Sequence, residues 1–349
     1  MSDKIKVGIV GLSMGRHHLE RMLLDSRVNV SALCDTDELR LKNTAEKYGI
    51  KSGYTDFAGM LRSESLDAVV IAVPNKFHAP YTLAALDAGL HEFCEKPMAM
   101  NTREAEKMQA KAEEKKRNLM INFSFRFMDM SYVLKQQVDA GVVGDIYFGR
   151  SVWHRRRGIP GFGGWFGIKS LSGGGPLIDL GVHRLDLALW LMGYPEPESV
   201  SGSTYNTIAK AAAKSAKKQF DVEDLACGFI KFTNGATLIL EASWAGNIKE
   251  NDLIITRLLG TKGGILQKNI NGGGAFEAEV FTEEGGNLFT KKLDKAVVSA
   301  PTSQREFIDN IVEKREPMAT AGQGVKVMKI LDGIYKSALT GREVRFRKK

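Results

Sequence analysis

The chain has 349 residues, 43% of them hydrophobic and 26% charged, with a formal net charge of +8. That length is too great for one ordinary core and calls for two domains, and the balance of apolar and charged residues is that of a globular protein in water. No apolar run approaches the roughly 18 residues of a membrane span, so no membrane partner is expected.

The N-terminus, MSDKIKVGIVG, enters a strand pattern directly, without the apolar core of a signal peptide. Cys34, Cys94 and Cys227 lie in apolar, strand-like runs with no CxxC or Cys/His spacing. They read as buried free thiols, and the protein as cytoplasmic. Part of the positive excess sits in the alanine/lysine tract KAAAKSAKKQ (210–219), read as a solvated loop or short helix. There is no zinc-finger spacing and no aromatic RNP motif, so no nucleic acid is expected as a partner.

The first 120 residues alternate strand and helix patterns, the signature of a parallel α/β sheet. KIKVGIVG is a strand, followed by a helix to about Asp25; VNVSALCD is a second strand, and DELRLKNTAEKYG a helix closed by glycine. LDAVVIAV is a continuous apolar run, as in a strand buried on both faces. A helix over about Phe77–Ala88, the strand HEFCEKP stopped by proline, the charged helix TREAEKMQAKAEEKKR and the strand NLMINFSF complete this part. After about residue 123 the rhythm changes. A helical stretch (Met130–Ala140) and the strand GDIYFGRSVWH precede a glycine-rich loop and helix, and then strands come one after another: ESVSGSTYN, VEDLACGFIKF, ATLILEASW, DLIITRLLG and AEVFTEE. Strands in succession suggest a mostly antiparallel sheet. Two helical segments, QREFIDNIVEK and GVKVMKILDGIYKSAL, close the chain.

Three stretches carry chemistry. GIVGLSMGRHH joins the first strand to the first helix, where a Rossmann fold binds pyrophosphate on glycines and helix N–H groups. Gly11, Ser13 and Gly15 give G-x-S-x-G, with Leu12 and Met14 between them, and Asp35 ends the second strand where an acid accepts from the adenine ribose. The alternative for Asp35 is a helix N-cap. There is no GxxxxGK[ST] pattern, and GTKGG at 260 reads as a turn, so a P-loop nucleotidase is not expected. Second, GGGPLIDLGVHRLDL (173–187) sets Asp179 and His183 four apart, on one face of a helix. By themselves they are an acid/base pair, a buried polar contact, or, with Asp186, a metal cluster; no second histidine is suitably placed, so no metal is expected. Third, in HRRRGIPGFGGWF (154–166) Arg155 and Arg157 alternate with Arg156, so at least one could reach the mouth of a site; the alternative is a solvated or subunit-facing edge.

The segment AVPNKFHAPYTLAALDAGLHEFCEKPMAMN, with P-N-x-x-H, A-L-x-A-G and E-K-P in that order, resembles the Gfo/Idh/MocA family of NAD(P)-dependent oxidoreductases. GGGPLIDLGVH resembles that family's G-G-G-x-x-x-D-x-G-x-H hallmark, and DGIYKSALTGREV its C-terminal helix. The resemblance implies an α/β protein: an N-terminal Rossmann fold with a parallel sheet (1–123) and a C-terminal α/β domain with a mostly antiparallel open sheet (124–349). The C-terminal helix is a candidate to pack back on the first domain, and the open sheet to mediate a homodimer or homotetramer.

Carried over residue by residue, Lys96, Asp179 and His183 match the family's catalytic lysine, aspartate and histidine. Pro74, Asn75, His78, Glu95 and Trp165 match positions on the cofactor side, and Arg126 a position near substrate or nicotinamide; Arg156 joins the substrate set from the arginine run. Two departures stand out: Ser13 replaces the usual middle glycine, and Phe166 follows Trp165 where many members have W-R. The implied function is hydride transfer between NAD(H) and a secondary alcohol of a sugar, cyclitol or sugar derivative. NAD is expected over NADP, because Asp35 would repel a 2′-phosphate. The alternatives are a glycosidase of the same fold that borrows NAD, and a non-catalytic NAD(H)-binding regulator.

Overall fold

The computed structural model describes residues 4–346. They divide into two compact units: residues up to Asn122 together with Pro301–Met328, and Phe123–Ala300 together with the residues from Lys329.

In the first unit the strands are β1 (Ile5–Val10), β2 (Val28–Cys34), β3 (Ser52–Tyr54), β4 (Ala68–Ile71), β5 (His91–Cys94) and β6 (Leu119–Ile121). All pair in parallel, in the order β3-β2-β1-β4-β5-β6. The helices are α1 (Gly15–Met22), α2 (Glu38–Tyr48), α3 (Phe57–Ser63), α4 (His78–Asp87) and α5 (Thr102–Lys115). Local chemistry sets their ends. Asp37 and Asp56 cap α2 and α3 through their carboxylates, and Gly49, at φ 68°, ends α2 in the left-handed conformation that glycine tolerates best. β4 is buried throughout, as its apolar run requires. The chain order reverses between β1 and β4, which opens a crevice at the carboxyl ends of the strands, where ligands of such sheets bind.

The second unit carries β7 (Ile146–Arg155), β8 (Pro197–Tyr205), β9 (Leu225–Phe232), β10 (Thr237–Ser243), β11 (Asp252–Gly260), β12 (Gly263–Asn269), β13 (Phe276–Glu284), β14 (Asn287–Lys292) and β15 (Val344–Arg345). They form one sheet, β14-β13-β12-β11-β7-β10-β9-β8-β15, antiparallel except between β7 and β10. Its helices are α6 (Asp129–Asp139), α7 (Lys169–Ser172), α8 (Val182–Leu191) and α9 (Ile208–Ala216); α10 (Ser303–Val312) lies in the first unit, and α11 (Ala321–Thr340) crosses the division between the units. Period-2 alternation places Gly149, Ser151, Leu238, Leu240, Ile254 and Thr256 in the interior, whereas Arg150, Ile239, Phe229 and Ile255 on the opposite face retain solvent contact.

Several elements have no counterpart in the sequence patterns: α3, β3, β12, β14 and β15. β3 has three residues and β14 is exposed along its whole length, so neither has an apolar periodicity to detect. The turn at residue 260 is the tip of the β11–β12 hairpin. The alanine/lysine tract contains α9, which buries Ala209 and Ala213 and starts on Asp224, whose Oδ2 accepts from the amides of Ile208 and Ala209 at 2.6 and 2.7 Å.

Candidate active site

At the carboxyl end of β1, Gly11 stands at φ 85°, and a Cβ there would overlap the Ala72 carbonyl. Gly15 lets α1 sit close on its strand, since a Cβ would stand 2.9 Å from Ile9 Cγ2. These are the first and third glycine roles of a dinucleotide turn. Between them Leu12 is buried and its amide donates to Asp35 Oδ2 at 2.7 Å, while Ser13 and Met14 are exposed. The α1 N-terminus has no side-chain cap and no acidic residue in its first turn, which suits an anion, although the Gly15 and His17 amides donate to the Gly11 and Met14 carbonyls. Asp35 is not the cap of α2; Asp37 is, accepting from the Arg40 amide at 2.9 Å. The turn and the acid therefore fit the pyrophosphate and ribose of a dinucleotide.

Pro74 and Asn75 follow β4, and Asn75 is buried. His78, expected on the cofactor side, is a strut. Its ring is buried, with Nδ1 2.6 Å from the Pro97 carbonyl and Nε2 2.8 Å from the Val73 carbonyl, and burial holds its pKa below the ordinary imidazole value. It thereby ties the chain after β4 to the chain after β5, one residue beyond Lys96. Lys96 is half-buried, its amide donates to Glu95 Oε2 at 3.1 Å, and the Lys96–Pro97 peptide is cis.

Burial works to raise the Glu95 pKa, but hydrogen bonds from His18 (2.8 Å) and Asn122 (2.7 Å), with the charges of His18 and Lys96, outweigh it and hold the carboxyl at about 2. His18, near the start of α1, is 1% exposed and bridges Glu95 to Gln304, 2.8 Å away. Its partners come from distant stretches of sequence, so no local pattern reports them.

In the second unit the glycine run is packed against protein. Gly173, at φ 85°, ends α7; a Cβ at Gly174 would overlap the Tyr335 hydroxyl, and one at Gly175 the Glu223 carbonyl. Glu223 holds the loop: its carboxylate accepts from the amides of Gly175 (2.9 Å) and Leu177 (3.1 Å) and from the Tyr335 hydroxyl (2.8 Å), while burial raises its pKa. Gly181 faces Leu177 and Ala242. The loop leads into a π-helical turn (Leu177–Gly181) and then α8. From Gly174 to Leu191 every residue is buried except Asp179 and His183. The Trp244 indole donates to Asp179 Oδ2 at 3.0 Å, and the His183 ring lies edge-on to Phe125, centroids 5.1 Å apart, and 6.0 Å from Trp153. No sequence motif singles out Glu223 or Trp244. Trp244 was nonetheless within reach, since it continues the buried alternation Leu238, Leu240, Ala242.

Arg126, expected near substrate or nicotinamide, is 0% exposed, and its guanidinium grips Asp186 through Nε (2.9 Å) and Nη2 (2.6 Å). Tyr194 bonds both members of that pair. Asp186 thus faces an arginine rather than Asp179 and His183, and among the described residues no group of three His, Cys, Asp or Glu could hold a metal. Within the arginine run, Arg155 bonds Asp252 and the Gly158 carbonyl, and Arg157 bonds Gly246 and Asn247. Arg156 is exposed, and its amide donates to Asn251. Trp165 is half-buried and stacked on Phe166, centroids 3.9 Å apart.

The model of an oxidoreductase family with an NAD-binding Rossmann fold matches residues 5–123, and that of the GFO/IDH/MocA C-terminal domain matches residues 133–266. The chain belongs to the Gfo/Idh/MocA family. Among curated Gfo/Idh/MocA proteins it is 33% identical over 353 residues to the D-glucoside 3-dehydrogenase of Escherichia coli (strain K12), covering 98% of each chain. It is 25% identical over 340 residues to the myo-inositol 2-dehydrogenase of Thermotoga maritima, covering 96% of each. Its fold superposes on GenD2 of gentamicin A biosynthesis, solved in complex with NAD, with a TM-score of 0.82 and 26% identity over 100% of this chain and 98% of the other. This Gfo/Idh/MocA chain is an oxidoreductase, and its cofactor is NAD.

Proposed function

We propose that the chain oxidises a secondary alcohol of a sugar, cyclitol or sugar derivative, or reduces the corresponding ketone. The supporting observation is that helix α8 and its π-helical lead-in bury every side chain from Gly174 to Leu191 except Asp179 and His183. A buried helix that turns only a carboxylate and an imidazole outward supports a reactive pair better than a structural contact.

When bound at the glycine turn, NAD supplies the hydride acceptor. His183 takes the hydroxyl proton, a role to which an imidazole, with an ordinary pKa of about 6.5, is suited. Lys96 donates a hydrogen bond to the reacting oxygen and stabilises negative charge as it develops there. Asp179, fixed by the Trp244 indole, orients the imidazole or relays its proton. Asp35 accepts from the ribose, and Ser13 offers its hydroxyl to phosphate. Arg156 is the exposed arginine available to substrate. Arg126 is left out of the substrate set, because its buried guanidinium serves Asp186.

The open face of the second unit's sheet, with Phe229 40% exposed beside Ile239, is the surface through which a homodimer or homotetramer forms. The chain works in the cytoplasm: Cys34, Cys94 and Cys227 are free thiols, and no helix among the described residues is long and apolar enough to cross a membrane. A panel of glycosides, polyols, inositols, aldoses and sugar phosphates with NAD, followed by NADH absorbance, tests the reading. NADH production with one class supports it. A cofactor that is retained through glycoside cleavage without net NADH, or no turnover with any member, contradicts it.

A further inference from the structure

The short link after β5 that carries Lys96 is held from two sides within the first unit. On one side His78 of α4 reaches the Pro97 carbonyl at 2.6 Å. On the other, Glu95 Oε2 accepts from the Lys96 amide at 3.1 Å, while its Oε1 accepts from Asn122 Nδ2 at 2.7 Å and lies 2.8 Å from His18 Nε2. The far nitrogen of that ring, Nδ1, is 2.8 Å from Gln304 Nε2 in α10. An amide nitrogen only donates, so with Gln304 so oriented Nδ1 accepts, and the ring proton sits on Nε2, aimed at Glu95. The ring is also pinned edge-on to Phe93 of β5, centroids 5.2 Å apart, and Phe93 in turn stacks on Phe307 of α10 at 5.4 Å.

We propose that His18, set by Gln304, is a positioning residue for Lys96: it fixes the Glu95 carboxylate, and Glu95 fixes the backbone from which Lys96 reaches the reacting oxygen. His18, Asn122 and Gln304 are all buried, so this is an interior polar chain and not a solvated surface contact. Replacing buried charged and polar groups by apolar side chains is often neutral or stabilising, so stability alone does not account for the chain. What it secures is the acceptor. Burial works to protonate Glu95, and the donors His18 and Asn122 keep it ionised, as the stronger acceptor for the Lys96 amide.

The proposal rests on the role given to Lys96 in the reaction, and its test is a double-mutant cycle that separates the two. kcat at saturating NAD and substrate is measured for wild type, His18→Met, His18→Gln, His18→Asn, Lys96→Ala and the pair His18→Met/Lys96→Ala. His18→Met is expected to lower kcat by about 10- to 100-fold, the scale of a displacement of about 1 Å in a reacting group. His18→Gln, whose amide reaches the place of Nε2, is expected to recover most of that loss, whereas His18→Asn, which reaches the place of Nδ1, is not. In the Lys96→Ala background His18→Met is expected to cost less than about twofold, because the group it positions is gone. If His18→Met does not fold, Asn122→Ala removes the other donor and takes its place in the cycle with the same expectation. An equal loss with and without Lys96 makes His18 a prop for the first unit as a whole and overturns the proposal. So does near-normal turnover in folded His18→Met, or rescue by asparagine as complete as by glutamine. A wild type without turnover, or Lys96→Ala with normal turnover, overturns the reading of Lys96 and the proposal with it.

Discussion

Two glycine-rich segments of this chain use glycine for opposite purposes. At Gly11–Gly15 the glycines make a turn whose centre is open: Ser13 and Met14 face solvent, and what the turn presents is backbone. At Gly173–Gly175 the glycines are closed against Tyr335 and Glu223, and what the segment presents, a few residues later, is the two side chains Asp179 and His183. The first arrangement suits binding a large anion without specific side chains. The second suits fixing reactive groups, because every neighbour of the pair is packed. From sequence the two segments look alike, and their contacts separate them. A glycine's reason lies in what its missing Cβ would have touched.

The sharpest way to break the comparison is to remove a reactive side chain. Lys96→Ala is expected to lower kcat by about 10²- to 10⁴-fold with NAD affinity largely kept, as for loss of a group acting on the reacting oxygen; steady-state kinetics beside a NAD titration measures both. Near-normal turnover at saturating substrate removes Lys96 from the chemistry.

Next in size is Gly175→Ala. Its Cβ would meet the Glu223 backbone, which cannot rotate away. Overpacking of this kind costs about 1–3 kcal/mol, so a lower Tm and a lower kcat with unchanged NAD affinity are expected. A loss confined to NAD affinity would show that the second loop, like the first, serves the cofactor.

Two buried glutamates differ in what pH does to them. Glu223 has both carboxylate oxygens hydrogen-bonded, whereas among the described residues Glu92 on β5 accepts only from Thr82, at 2.5 Å, and its Oε2 has no partner. Burial pushes Glu92 up to about 8, with the Thr82 bond working weakly the other way. Its folded pKa lies above the unfolded value, so its stabilising contribution is complete below about pH 4.5 and is lost as pH rises towards about 8, at up to about 1.4 kcal/mol per unit. Wild-type Tm should therefore fall between pH 5 and 8, and Glu92→Gln should flatten that fall. An unchanged slope would place the pH sensitivity elsewhere.

How far the sequence could be read depended on the range of the interactions involved. The parallel strands other than β3, the glycine that closes α2 and the alternating antiparallel runs express local patterns, and they were legible. Asp35 at the end of β2 was legible for the same reason, but its side-chain partner, Arg40, 3.1 Å away, was not, because side-chain direction on the first turn of α2 decides it. Asp179 and His183 were marked by spacing and by the resemblance. The residues that hold Asp179 (Trp244), the glycine loop (Glu223) and Glu95 (His18 and Asn122) act across tens of residues of chain, and no motif reports such contacts. Arg126 was misplaced for the same reason. An arginine in a motif reads as a ligand grip until its carboxylate partner, here Asp186, is seen.

The claim that the turn binds and the helix reacts is tested most directly by a crossed pair of variants. NAD⁺ affinity by calorimetry and kcat at saturating cofactor are measured for Asp35→Ser and His183→Ala. The expected result is a crossover: Asp35→Ser loses NAD⁺ affinity, by about tenfold or more for its charge-assisted bonds, and keeps most of its kcat. His183→Ala keeps its affinity and loses about 10²- to 10⁴-fold in kcat. If His183→Ala instead loses NAD⁺ binding while its turnover at saturation stays near wild type, the division of labour between the two glycine segments is wrong.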